Sequence, residues 1–161
     1  MISALQGLWR KHGAKTEAKP TGSAYFDGTS VVIVKSRCWI QGPLYIEDEP
    51  HRIFAASEKK QIQDFLVQIL TSPVEIDRNP KPSIDPDAHK KMLKVRSQKE
   101  GITRYQHVGL RVDDGVLQVT PSQRDLKTKS WLYSDLVLKE ESWHEPDRAT
   151  DLLFEAFTAC K

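Results

Sequence analysis

Val108-Gly109-Leu110-Arg111-Val112-Asp113-Asp114-Gly115-Val116-Leu117-Gln118-Val119-Thr120-Pro121 reads as two strands folded around a tight turn. A two-residue turn at Asp114-Gly115 pairs Val112 with Leu117, Leu110 with Val119 and Val108 with Pro121, and those pairs share one face. The opposite face then carries Arg111 against Gln118 and Gly109 against Thr120. One register sorts apolar from polar on both strands, which is what a half-buried antiparallel hairpin requires.

Upstream, short β-type runs recur at Tyr25-Phe26, Val31 to Val34, Trp39-Ile40, Leu44 to Ile46 and Ile53-Phe54. Asp27-Gly28, Gln41-Gly42-Pro43 and Asp48-Glu49-Pro50 punctuate them, the spacing of short strands in a meander. A helix follows: Ile62, Phe65, Leu66, Ile69 and Leu70 fall at helical spacing, with Ser57 as candidate N-cap and Thr71-Ser72-Pro73 as the stop. Four prolines between Pro73 and Pro86 mark a long surface connection or a hinge. Asp85-Pro86-Asp87 then opens a short basic helix through about Val95.

Downstream of the hairpin, Trp131 to Leu138 forms a further strand or a longer bent one. A last helix starts near Pro146, with Ala149, Leu152, Leu153, Ala156 and Phe157 on one stripe. The expected class is α+β: an antiparallel meander sheet in two strand-then-helix halves, with the helices packed across one side or end of it. Residues 1–22, poor in bulky apolar side chains beyond Arg10, are expected as an N-terminal segment, either a mobile arm or a short helix plus linker; residues 23–161 are expected as a single domain.

The chain has 161 residues, 39% hydrophobic and 29% charged, with a formal charge of +2. Mean hydropathy is −0.52 and no apolar run approaches the ~18 to 20 residues of a bilayer span, which excludes transmembrane helices. Met1 to Lys11 lack the continuous apolar stretch of a signal peptide. Cys38 and Cys160 stand far apart and outside any Cys-x-x-Cys pair, so the expected setting is a reducing cytoplasm, without a disulfide framework.

Catalytic motifs are missing from this sequence. His12, His51, His89, His107 and His144 never take the spacing that puts two ligands on one helical face, and no Gly-x-Ser-x-Gly, P-loop or Gly-x-Gly-x-x-Gly occurs. His51 beside Glu47-Asp48-Glu49 reads as a charged turn, Asp113-Asp114 as turn chemistry, and Cys38 as a buried structural thiol beside Arg37. The expectation is a protein that is not an enzyme and holds no cofactor and no metal. A thiol or metal enzyme would require Cys38, a histidine and a carboxylate within hydrogen-bond reach.

Charge is distributed unevenly. Arg78 to Arg104 holds eight basic and three acidic residues, a balance of +5, whereas Asp135 to Glu155 holds seven acidic and two basic, a balance of −5. The basic stretch, with Tyr105 and His107 beyond it, could track a phosphate backbone while aromatics stack on bases. The acidic stretch could meet a basic protein partner. Trp39 and Trp131 are expected in the core; Trp143 sits among Glu140, Glu141 and Glu145 and fits either a core or an interface.

The order of elements resembles the immunity proteins of contact-dependent growth inhibition systems of bacteria. The likeness runs from Ser23 to Leu138: an aromatic first strand, Arg37 with Gly42, Pro50 ahead of a strand, and an amphipathic helix ending at Ser72. Lys99 to Tyr105 resembles the family's basic segment leading into a strand, and Val116 to Pro121 its next strand. Phe65-Leu66 departs from the Leu-Gly pair of many relatives and makes close packing of that helix the feature to check.

The resemblance implies a small cytoplasmic toxin inhibitor with no catalytic residues. It would bind the cognate C-terminal toxin domain of a large secreted effector, commonly a nuclease, and block its active site or substrate groove. No membrane and no direct nucleic-acid partner are implied. The candidates for toxin contact are Glu140, Glu141, Trp143, Glu145 and Asp147, followed by Glu47, Asp48 and Glu49. The rival from another class is a nucleic-acid-binding module that uses the sheet and the stretch from Lys90 to Arg104.

Overall fold

A computed structural model describes residues 18–42, 44–82, 84–134, 136–140 and 148–161, with the side chains of 139 and 140 outside the description. Three strands open the fold: β1 (Thr21–Phe26), β2 (Ser30–Trp39) and β3 (Leu44–Ala55), followed by α1 (Lys59–Thr71). A two-residue strand β4 (Ile76–Asp77) precedes α2 (Ala88–Leu93) and α3 (Gln98–Arg104). The hairpin β5 (Gln106–Asp113) and β6 (Val116–Asp125) leads to β7 (Ser130–Tyr133), β8 (Leu138–Glu140) and α4 (Ala149–Ala159).

The sheet runs β3-β2-β1-β5-β6-β7, with β8 on β6 and β4 added in parallel to β2. All other pairings are antiparallel, so the α+β class holds, and β1 against β5 joins the two halves into one sheet. The hairpin adopts the expected register at every pair, and Asp114 and Gly115 both take positive φ, 52° and 72°, as a two-residue turn of this hand requires.

Several short strands of the sequence reading merge. Val31 to Val34 and Trp39 belong to the single strand β2, and Leu44 to Phe54 to the single strand β3. Asp48-Glu49-Pro50 does not end β3, because the register shifts opposite Val34 and Lys35 and leaves Glu49 and Pro50 without ladder partners on an edge strand, where proline's missing N–H costs nothing.

Alternation along the strands builds two faces. Ala24, Val31, Ile33, Val108, Leu110, Leu117 and Val119 form one face with α1 and α4 laid across it. Phe65 and Leu66 are both buried there, so the bulkier pair packs closely. The α1 side chain of Gln63 accepts hydrogen bonds from the Thr150 amide (3.0 Å) and hydroxyl (2.8 Å), supplying an N-terminal cap that α4 lacks locally.

The second face carries its own cluster: Tyr25, Val32 and Val34 under Met92, Leu93, Val95 and Tyr105. Helices therefore cover both faces, where the sequence reading laid them across one side or end. Lys99 to Tyr105 leads into β5 as the helix α3: Ser97 Oγ accepts from the Glu100 amide (3.1 Å), and the Glu100 carboxylate accepts from the Arg96 amide (2.9 Å). A Ser-x-x-Glu cap outweighs the β-type residues Ile102 and Thr103 that follow it.

Other expectations shift at their edges. α1 starts at Lys59 with Glu58 at the cap position in place of Ser57, and the Glu58 carboxylate accepts from the Ala55 amide at 2.7 Å. Trp39 and Trp131 are half-buried, not core: the Trp39 indole donates to the Asn79 carbonyl (2.8 Å) and the Trp131 indole to the Tyr105 carbonyl (3.3 Å). Pro146 lies outside the described residues.

Candidate functional site

One row of residues crosses the second face of the sheet. Tyr25 on β1 pairs with His107 on β5, His107 faces Ser122 on β6, and Ser122 pairs with Tyr133 on β7. Gly109 lies on the same face as His107, and the Tyr133 ring covers it so closely that a Cβ there would sit 2.6 Å from the ring. Above the row, α2 supplies His89 and β7 supplies Trp131. The Tyr25 ring centroid is 4.9 Å from His107, 5.2 Å from His89 and 5.4 Å from Trp131. His89 and His107 each lie 5.5 Å from Trp131.

These rings wall a cleft of about 750 Å³ whose mouth is formed by β3 and the segment before α2. That volume falls in the range of roughly 300–1,000 Å³ typical of ligand sites. Glu47 reaches in from β3: one carboxylate oxygen accepts the Tyr25 hydroxyl and the other lies 3.9 Å from His89 Nε2. Around the mouth the other carboxylates have close side-chain partners. Asp48 pairs with Arg37 (3.3 Å), which also holds Asp77 (3.3 Å); Glu49 pairs with His51 (2.8 Å) and Asp85 with Lys91 (2.8 Å).

Burial sets the protonation of the cluster. His107 is 7% exposed, and loss of hydration, reinforced by His89, pushes its imidazole down to about 3. His89 is lowered for the same first reason, with Glu47 opposing. Both rings are therefore neutral at neutral pH, and the Tyr25 phenol is raised by burial and then by Glu47. Among the described residues Glu47 thus contacts a phenol and an imidazole, without a lysine or arginine partner.

Of the candidates read from sequence, Glu47, Asp48 and Glu49 all line the cleft mouth. Glu140 contributes backbone to β8, opposite Leu117, and Glu141, Trp143, Glu145 and Asp147 lie outside the described residues. Tyr25, His89, Trp131 and Tyr133 escaped the sequence reading as site residues. Extending the hairpin register by one pair, to His107 opposite Ser122 on the polar face, was the signal that pointed toward them.

The basic stretch offers less charge than its composition suggests. Lys90 pairs with Asp87 (2.7 Å), Lys91 with Asp85, Arg96 with Glu100 (3.4 Å) and Arg104 with Asp27 (3.2 Å). Cys38 is buried and its thiol is pushed up by that burial, as befits a structural cysteine. Among the described residues no group of three or more His, Cys, Asp or Glu could hold a metal ion, and no helix is long and apolar enough to cross a membrane.

No family model matches the chain, and no curated protein matches it. Among solved structures, it is similar to a protein of unknown function, NMB0488 of Neisseria meningitidis, at 14% identity and a TM-score of 0.69, over 93% of this chain and all of that one. It is also similar to a chain of the CdiA-CT/CdiI toxin and immunity complex from Yersinia pseudotuberculosis, at 10% identity and a TM-score of 0.66, over 90% of this chain and 99% of that one. At such identities the likeness is one of fold.

Proposed function

We propose that this chain is an immunity protein of a contact-dependent growth inhibition system, a non-catalytic inhibitor that binds the C-terminal toxin domain of a large secreted effector. The observation that carries the reading is the fold likeness, over nine-tenths of the chain, to a chain of a toxin and immunity complex. The immunity side of that pair is chosen because the residue pattern from Ser23 to Leu138 resembles immunity proteins.

Inhibition is steric and electrostatic. The toxin is a nuclease whose basic substrate groove is filled by acidic side chains of this protein, and the opposed fields speed encounter. Glu47, Asp48 and Glu49 present one such surface along the edge strand β3. Glu140, Glu141, Trp143, Glu145 and Asp147 are proposed as the other. Protection requires a complex of about nanomolar affinity, equivalent to about 12 kcal/mol. The protein works in the cytoplasm, where the toxin would act.

The test pairs the chain with the toxin domain encoded in the adjacent reading frame. Co-expression should restore growth, and binding should be nanomolar. Reversing Glu140, Glu141 and Glu145 to Lys, or Glu47, Asp48 and Glu49 to Lys, should weaken it at least tenfold. Cells that die equally with and without the protein, or purified protein with enzymatic turnover of its own, would overturn the reading.

A further inference from the structure

The second face of the sheet holds a carboxylate in unusual company. Glu47 is 27% exposed at its side chain, hydrogen-bonded through one oxygen to a neutral phenol, and 3.9 Å from an imidazole through the other. The cleft's other carboxylates, Asp48, Glu49 and Asp85, each have Arg37, His51 or Lys91 within 3.3 Å. A carboxylate partly withdrawn from water and beside rings makes its strongest contact with a cation that can hydrogen-bond to it.

The geometry points to a guanidinium group as the occupant of this cleft, anchored on the open oxygen of Glu47 and laid against the half-buried rings of His89 and Trp131. Three features select guanidinium over an ammonium. It is planar and stacks on aromatic faces, it is weakly hydrated and so enters a partly dry site at lower cost, and its several N–H groups can reach both the carboxylate and neighbouring acceptors. Tyr25, His89 and Trp131 pack edge to face, with ring centroids 5.2 to 5.5 Å apart, and this packing holds the His89 and Trp131 rings in place in the cleft lining. The histidines add no competing positive charge at neutral pH.

The inference deepens the proposed function: it rests on that reading only for the source of the guanidinium, an arginine side chain carried by the partner protein. The site itself can be probed on the isolated chain. Two-dimensional NMR of the labelled protein would follow the Trp131 indole and the His89 and His107 rings during titration with Nα-acetyl-L-arginine amide, at constant ionic strength. A saturable shift with an affinity of about millimolar is expected, the range for one charge-assisted contact with stacking.

Glu47→Gln should weaken that binding at least tenfold, while Glu155→Gln, exposed on α4 at the other face of the sheet, leaves it unchanged. Tyr25→Phe keeps the ring and frees the second Glu47 oxygen, so it should bind at least as tightly as the wild type; a purely structural Tyr25–Glu47 contact would give no such result. Free L-arginine in a parallel titration separates the two sources. Stronger binding of the blocked form supports a protein-borne side chain, and equal binding supports the guanidinium site with a free ligand.

Absence of a saturable shift, an equal shift with choline, or full binding by Glu47→Gln would overturn the inference. Should the protein still protect cells in that event, the immunity reading stands alone. Should guanidinium bind while protection fails, the site stands and the immunity reading falls.

Discussion

His107 and Ser122 face each other across β5 and β6, with imidazole Nδ1 2.7 Å from the serine hydroxyl and both side chains buried. The pair continues the hairpin register one step past Val108 and Pro121, so the same alternation that buries the valines delivers a histidine to the floor of the cleft.

Stability should therefore fall on acidification through His107. Its pKa is about 3 when folded against an unfolded value of about 6.5, so its contribution is complete above the unfolded value and is lost as pH falls from there toward the folded one. At about pH 5 the loss is about 2 kcal/mol. Urea unfolding of the wild type at about pH 7.5 and about pH 5 should reveal that difference, and His107→Gln should flatten it. A variant with the wild-type pH slope would show that His107 is hydrated.

The Gly109 position tests how the Tyr133 ring is held. Alanine there would place a Cβ 2.6 Å from the far end of an exposed tyrosine, which can swing away, so Gly109→Ala should change stability by less than about 1 kcal/mol. Its visible effect should be on the cleft: NMR contacts between the Tyr133 and His107 rings, now 5.7 Å apart, should vanish.

At the turn the cost is in the backbone. Gly115 sits at φ 72°, where an L side chain is strained by about 1 kcal/mol, so Gly115→Ala should lower the urea midpoint without altering the slope. Asp114, at φ 52°, already accepts this conformation as aspartate and asparagine do, and Asp114→Asn should be neutral within about 0.5 kcal/mol.

On the other face, Phe157 is 1% exposed and packs against Phe26, ring centroids 5.1 Å apart, where α4 meets the sheet. Phe157→Ala should cost about 3–5 kcal/mol in chemical unfolding. For a domain whose total stability is about 5–15 kcal/mol, that change would leave an appreciable unfolded fraction in the least stable case.

Local pattern carried a large share of the architecture. Val112 to Leu117 closes as a hairpin because the turn chemistry and the two-residue period agree, and the stripes on α1 and α4 are buried residue for residue. α3 was legible too, in Ser97 and Glu100, but its cap competed with a β-type run. Where two local signals conflict, tertiary packing chooses: Ile102 is fully buried as part of a helix over the second face.

The sequence by itself determined the α+β class, the hairpin register and both long helices, because each depends on residues within a few turns or strand steps of one another. Only the tertiary structure decided that Tyr25, Glu47, His89, His107 and Trp131 meet. They come from β1, β3, α2, β5 and β7, and their meeting follows from the strand order β3-β2-β1-β5-β6-β7 and from the placement of α2 over one face. Periodicity says which side of a strand is buried, but carries no information about which strand lies beside it.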